Sequence, residues 1–299
     1  MSAFQQALKS VRWLLVEHPV GRRHPARTLL RWMEWQVRQR LTSRPSIMKF
    51  VGPTKLEIHP HEGLTGYWYV GLPDYDEMTF LLRFLRKDDV FYDVGANAGA
   101  YSILALACGC RVVAMEPVPA TFERLQANVG LNRAVNFIST LSMAAGEKRG
   151  RVRMSTQLGT GNRILGKTET EPSVEVEIVP LDDIAGNQPA PTFIKIDVEG
   201  HETGVLRGAQ KVLGLPGLEG LLIETFRSYN WSSPRMQELE TVLARHGFKP
   251  CAYDAEKNVV REFETKDSGP DNTLYLRDLA AVKRRLSEAP KKELSSWSK

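Results

Sequence analysis

Cysteine is scarce in this 299-residue chain: Cys108, Cys110 and Cys251 are the only three. An odd, sparse set without paired C-x-x-C spacing excludes a disulfide framework and a structural zinc site, and it fits a reducing compartment. Long apolar runs are missing too. No stretch approaches the ~18 residues that cross a bilayer, and the first residues lack a signal-peptide layout, so a cytoplasmic protein, at most peripheral to a membrane, is expected. There is no internal repeat, and outside the first fifty residues there is no excess of positive charge. Residues 1–50 hold ten Lys or Arg against Glu17 and Glu34, a net +8, whereas the remainder carries −3 although the whole chain is +5. A nucleic-acid partner for the main body is therefore not expected.

What is present begins at residue 90. Val90, Phe91, Tyr92 and Val94 form a short β-branched and aromatic run, followed by Gly95-Ala96-Asn97-Ala98-Gly99 and a small apolar stretch at 101–107. The pattern reads as a buried strand, a glycine-rich turn and a helix packed on a sheet. Gly95 and Gly99 stand where a Cβ would obstruct the bend or a ligand. Taken alone, this fits an ordinary strand-to-helix turn as well as a ligand loop. A second strand, 112–116, ends in Glu116, 23 residues after Asp93. That is the spacing of a βαβ unit whose acidic strand end accepts hydrogen bonds from ribose hydroxyls, though a solvated carboxylate before Pro117 also fits.

The nucleotide follows from what the turn lacks. A dinucleotide loop needs a middle glycine for close approach to a pyrophosphate, and here Asn97 occupies that place. Asparagine tolerates left-handed backbone and can hydrogen-bond a carboxylate or amino group. Asp93, just ahead of the turn, adds negative charge suited to a cationic ligand. S-adenosylmethionine, with ribose, adenine, an amino group and a sulfonium, is the expected cofactor, its carboxylate facing the helix N-terminus after Gly99.

The runs 91–102, Glu116-Pro117, Leu125-Gln126-Ala127-Asn128, and Phe193-Ile194-Lys195-Ile196-Asp197-Val198-Glu199-Gly200-His201-Glu202 followed by Val205-Leu206-Arg207-Gly208-Ala209 resemble the FkbM family of methyltransferases. The segment 194–202 is the most specific part. The resemblance covers residues 88–226, extends weakly to 277, and leaves residues 1–60 without a pattern. It implies an α/β fold of the class I methyltransferase type, Rossmann-like, with a seven-stranded sheet and flanking helices. It also implies that Ala144-Ala145-Gly146 meets adenine. The acceptor class, a hydroxyl on a glycan, glycolipid or small-molecule metabolite, rests on the resemblance alone.

Methyl transfer to a hydroxyl needs alignment of the reactants and a base for the departing proton. Asp197, Glu199 and His201 alternate just past the buried strand 193–196. Asp197 is expected near the cofactor's methionine and methyl group, with His201 or Glu199 as base. The competing reading has Glu199 paired with Lys195 or Arg207, or capping the following helix. The D-x-E-x-H spacing admits a divalent cation, but without further ligand signals no metal is assigned. Glu224, ending another strand at the same edge, and Asn162 and Arg163, in the unpatterned loop 156–172, are candidate acceptor contacts. Alternatives of a different class are an NAD-dependent oxidoreductase, which requires glycine at 97, and a non-catalytic scaffold docking a partner or membrane.

The organisation expected is a basic helical appendage over 1–50, a methyltransferase domain over 51–280 and a charged tail over 281–299. A first helix is expected over 3–17. In a second, Leu30, Met33, Val37 and Leu41 form a stripe, with Arg27, Arg31 and Arg38 on another face and Trp32 and Trp35 displayed. The stripe either covers the core of the main domain, the commoner fate of such helices, or lies on anionic lipid. Residues 57–69 are expected as hairpin or loop.

Overall fold

The computed structural model describes residues 9–60, 63–157, 161–166, 168–225, 233–263 and 272–289. A π-helical turn at Trp13–Glu17 leads to helices α1 (Pro19–Arg23) and α2 (Pro25–Leu41), each with proline at its first turn, where a missing N–H costs nothing. A hairpin of β1 (Ser46–Lys49) and β2 (Lys55–Ile58) and helices α3 (Thr65–Val70) and α4 (Tyr75–Phe84) follow. The part of the first expected helix before residue 9 lies outside the described residues.

The central unit is β3 (Val90–Val94), α5 (Ala100–Ala107), β4 (Arg111–Met115), α6 (Pro119–Leu131) and β5 (Ile138–Leu141). A small sheet of β6 (Ala144–Ala145), β7 (Gly150–Ser155) and β8 (Ser173–Val179) is inserted before α7 (Leu181–Ala185). The chain returns through β9 (Phe193–Ile196), α8 (Glu202–Arg207), α9 (Gln210–Leu213), β10 (Gly220–Glu224) and α10 (Pro234–Arg245). It finishes with β11 (Lys249–Asp254), β12 (Val259–Glu262), β13 (Asn272–Leu276) and α11 (Leu279–Ser287).

The main sheet has the order β12-β11-β13-β10-β9-β3-β4-β5. Strands β5, β4, β3, β9 and β10 are mutually parallel, while β13, β11 and β12 pair antiparallel. Seven of these are the strands the resemblance implies; β12 adds an eighth as the edge of a hairpin with β11. Connections run outward in opposite directions from β3 and β9, which makes their carboxyl ends the crevice where ligands bind in open parallel sheets.

Strand parity explains the two-layered core. Phe91, Val112, Ala114 and Phe193 face one side, against α4, α5 and the N-terminal helices. Tyr92, Val94, Val113, Met115, Ile194 and Ile196 face the other, against α8, α9 and α10. The first face also receives the leading segment: Leu14 and Trp35 are 1% and 0% exposed, and the Trp35 ring sits 5.2 Å from that of Trp68 on α3.

This arrangement corrects the expectation that the α2 stripe covers the core. Leu30, Met33, Val37 and Leu41 are exposed, and α2 turns Thr28 and Trp35 inward. Residues 57–69, expected as hairpin or loop, include the helix α3, built on Thr65, Gly66 and three aromatic or branched residues that pack inward. The stretch expected to open a charged tail is helix α11, capped by Asp278, which accepts from the Ala281 amide at 2.9 Å. It buries Val282 and Leu286, and Arg285 ties it to the body through Phe84 O at 2.7 Å, Glu219 at 2.8 Å and Asp89. Residues 290–299, with Trp297, lie outside the described residues. Among the described residues no helix is long and apolar enough to cross a membrane.

Candidate functional site

A cavity of about 330 Å³ opens at the carboxyl ends of β3, β4, β9 and β10. Its first wall is the turn after β3. Asn97 has φ +52, the left-handed region in which asparagine is tolerated, and Gly95 has φ +80. A Cβ on Gly95 would stand 1.8 Å from the carbonyl oxygen of Asp197, so only glycine lets the ends of β3 and β9 approach this closely.

The amides of this turn are consumed by carboxyl and amide oxygens. Asn97 N–H donates to Glu116 Oε2 at 3.0 Å, Val118 N–H donates to Glu116 Oε1 at 2.9 Å, and Ala98 N–H donates to Asn97 Oδ1 at 2.7 Å. Glu116 therefore holds the turn while still lining the cavity. Its burial pushes the carboxyl up to about 7 against the pull of those two amides. Ala144 and Ala145, with nothing beyond Cβ, also line the cavity.

The second wall is acidic. Asp197, Glu199 and Glu224 present carboxylate oxygens that all lie within 4.8 Å of one another. Three carboxylates at this separation could hold a divalent cation. Here, however, Lys195 Nζ already sits 2.7 Å from Asp197 Oδ2 and supplies the positive charge. Burial raises the Asp197 carboxyl, but Lys195 and a hydrogen bond from Glu224 overcome it and hold Asp197 below the usual carboxylate range. Glu224 moves the opposite way, raised by burial and then by the charge of Asp197. The pair thus keeps one proton near neutrality, on Glu224.

Glu199 is distinct. It sits at φ +49, lines the cavity, and is pushed up to about 7 by burial and then by Asp197 and Glu202. Among the described residues neither of the alternative ion pairs forms: Lys195 is engaged with Asp197, and Arg207 pairs with Glu238 at 2.6 Å and Glu147 at 3.4 Å; the helix that follows is capped at His201 with no side-chain hydrogen bond. His201 also lines the cavity, but its imidazole lies across Gly204, where a Cβ would come within 2.4 Å of Nε2. Burial, then Arg235 and Arg207, lower its affinity for a proton.

Of the residues singled out in the sequence, the cavity brings together Gly95, Asn97, Glu116, Ala144, Asn162, Asp197, Glu199, His201 and Glu224. Three lie elsewhere. Asp93 is fully buried one layer below, hydrogen-bonded by Ser102 Oγ at 2.6 Å and 4.0 Å from Lys195 Nζ. The β3–β9 register pairs Asp93 with Lys195, so both point into the same face of the sheet. Gly99, at φ +88, abuts Leu125 as the cap of α5. Arg163 turns away to Glu169 and Glu171 at 2.8 and 3.2 Å.

The sequence reading missed Lys195 as the counter-charge, although its place two residues before Asp197 puts both on one side of the strand. It also missed Tyr67, Asp74 and Tyr101. Tyr101 donates to Asp74 Oδ2 at 2.8 Å and carries Lys195 Nζ 4.8 Å above its ring. Tyr101 lay inside the quoted motif, whereas nothing in 63–74 signals a cavity wall.

Comparison with known proteins adds the following. The family model for the methyltransferase FkbM domain matches residues 93–250. The hexuronic acid methyltransferase AglP of Haloferax volcanii is 32% identical over 140 residues, 46% of this chain; the chain spans 57% of that relative's length. Among solved structures, methyltransferase FkbM from Methylobacillus flagellatus shares 20% identity at a TM-score of 0.45, covering 71% of this chain and 52% of that one. An S-adenosylmethionine-dependent methyltransferase from Agrobacterium tumefaciens shares 11% at 0.44, over 67% and 59%.

Proposed function

Because this chain belongs to the FkbM methyltransferase family, we propose that it transfers a methyl group from S-adenosylmethionine to a hydroxyl on a glycan, a glycolipid or a related small metabolite. One observation carries the reading: a single cavity joins a nucleotide-type wall, made by Gly95, Asn97, Glu116 and Ala144, to an acidic wall holding an ionisable carboxylate, Glu199, that is in no ion pair among the described residues.

The residues fit this cofactor. Glu116 directly follows β4, where ribose hydroxyls are bound in such folds, and the alanines of β6 leave room for a flat ring. The sulfonium of S-adenosylmethionine supplies the activated methyl group, and the acidic lining suits its positive charge. The amides that a pyrophosphate would need are already taken by Glu116 and Asn97, which disfavours an NAD-dependent oxidoreductase.

Catalysis by this chain is then positioning plus proton removal. Asp197, fixed by Lys195, and the protonated Glu224 orient the acceptor, and Glu199 takes the hydroxyl proton as the oxygen attacks. His201, packed across Gly204, shapes the acceptor side. Asn162 lines the same cavity. The name of the archaeal relative supports a sugar acceptor. The carboxylates along this lining favour a neutral sugar hydroxyl over a uronate, whose charge they would repel. Incubation with methyl-labelled S-adenosylmethionine and parallel panels of neutral and uronic glycans tests this. Label on neutral glycans, lost in Glu199→Gln, is expected; label confined to the uronic panel would overturn the neutral preference, and label on neither panel would refute a glycan acceptor.

A further inference from the structure

Helix α2 leaves an aliphatic stripe in solvent. Leu30, Met33, Val37 and Leu41 are 62%, 42%, 56% and 79% exposed. At helical spacing they share one face, a ridge about 16 Å long at 1.5 Å per residue. Soluble surfaces carry scattered apolar residues, but four in register on one helix form a contiguous patch of the kind that marks a contact surface.

The opposite face is fully used. Trp35 is buried against Trp68, Arg31 donates to Trp68 O at 3.2 Å, and Gln36 donates to the Tyr69 hydroxyl at 3.4 Å. The aromatic anchors that the sequence displayed are thus spent inside: Trp35 is fully buried and Trp32 packs against the same core. What α2 offers outward is this aliphatic stripe with the exposed Glu34 beside it, and α3, the layer behind α2, supplies Tyr67 to the cavity.

The surroundings of the stripe are basic. Arg40 lies beside it, exposed, with its guanidinium on Gln36 O at 2.9 Å, and Arg44 and Lys49 follow exposed on the next segment. Glu34 is the one acid on α2. Residues 1–50 together carry +8. A second copy of the chain laid on the stripe would set arginines against arginines, whereas an anionic bilayer surface neutralises them while its acyl boundary receives the leucines.

We propose that the α2 face, centred on Leu30, Met33, Val37 and Leu41 and framed by Arg40 and Arg44, docks this protein on anionic lipid, holding the cavity one helix layer from the membrane. The reading is independent of the chemistry assigned to the cavity. The probe is the full-length protein in flotation with phosphatidylcholine vesicles, with and without about one-third phosphatidylserine. Binding to the anionic vesicles at low salt, weakened at high salt, is expected. Val37→Ser/Leu41→Ser should lower the partition coefficient about tenfold, as should Arg40→Gln/Arg44→Gln, with the melting temperature unchanged because these side chains are exposed. Equal flotation of wild type and the serine pair, or none on anionic vesicles at low salt, overturns the proposal. So does sedimentation equilibrium showing a wild-type dimer that the serine pair dissociates, which would give the face to a second copy.

Discussion

Glu199 and Glu224 are two carboxyl groups in one cavity, both raised by burial but to different extents, which suits them to the different tasks proposed for them. Glu224 is kept protonated by burial and the neighbouring Asp197 charge, and Glu199 titrates at about 7. A base works only when ionised, so turnover should rise as pH increases through about 7 and level off above it, and fall below it as Glu199 gains its proton. Glu199→Gln should abolish that limb and lower kcat about a hundred- to ten-thousandfold with little change in cofactor affinity. A pH–rate profile identical in wild type and variant would move the base elsewhere, with His201 next to test. At the proposed ribose end, Glu116→Ala should weaken S-adenosylmethionine roughly ten- to a hundredfold in calorimetry, since the carboxyl that accepts from the Asn97 and Val118 amides is removed from a buried turn. Because Lys195 Nζ pairs with Asp197 and Glu224 keeps its proton, exhaustive chelation should leave turnover intact; loss restored by magnesium would reassign Asp197, Glu199 and Glu224 as metal ligands. At this scale the sequence disclosed what backbone conformation and strand ends dictate, the left-handed Asn97 and the edge residues Glu116, Asp197 and Glu224. It did not disclose Asp93, because whether an in-register Asp–Lys pair faces ligand or core depends on the helix laid over it, here α5 with Ser102.

Elements were legible wherever one period dominated. The strand 90–94, the helix after it and the strand ending at Met115 stand where their apolar runs place them, as do β9 and β10. Helix α2 shows where periodicity misleads. Four aliphatics at helical spacing outnumber the inward set, yet the bulk of Trp35, in a slot against Trp68, decides which face is buried. A count of apolar residues cannot see the partner surface, and α3, which provides it, is a six-residue helix with no periodic signature. Trp35→Ala should accordingly cost about 3–5 kcal/mol in urea unfolding, the range for emptying a buried aromatic site, while Leu30→Ala on the exposed face should cost about 0.5 kcal/mol or less. Equal effects from the two would contradict the inward packing of Trp35.

On the scale of the whole molecule, the family match begins at residue 93, but the cavity does not. Gly63, Leu64, Tyr67, Pro73 and Asp74 all line it, and they belong to a segment that α2 covers from behind. His18 reinforces the same join: its imidazole is hydrogen-bonded to Leu72 O at 2.9 Å and desolvated, with its pKa lowered to about 4, so it stays neutral at physiological pH. The leading helices therefore pack on the back of the segment that lines the cavity. Removing residues 1–45 would strip Trp35 from Trp68 and His18 from the loop carrying Leu72 and Pro73. The truncated protein should melt at a lower temperature than the full chain. It should also gain less from saturating S-adenosylmethionine than the full chain does, because a site whose wall is loosened binds more weakly and contributes less ligand-linked stability. Thermal denaturation of both forms with and without cofactor separates the outcomes. A lower melting temperature with an undiminished cofactor-induced increase would mean that the N-terminal helices stabilise the core without shaping the cavity.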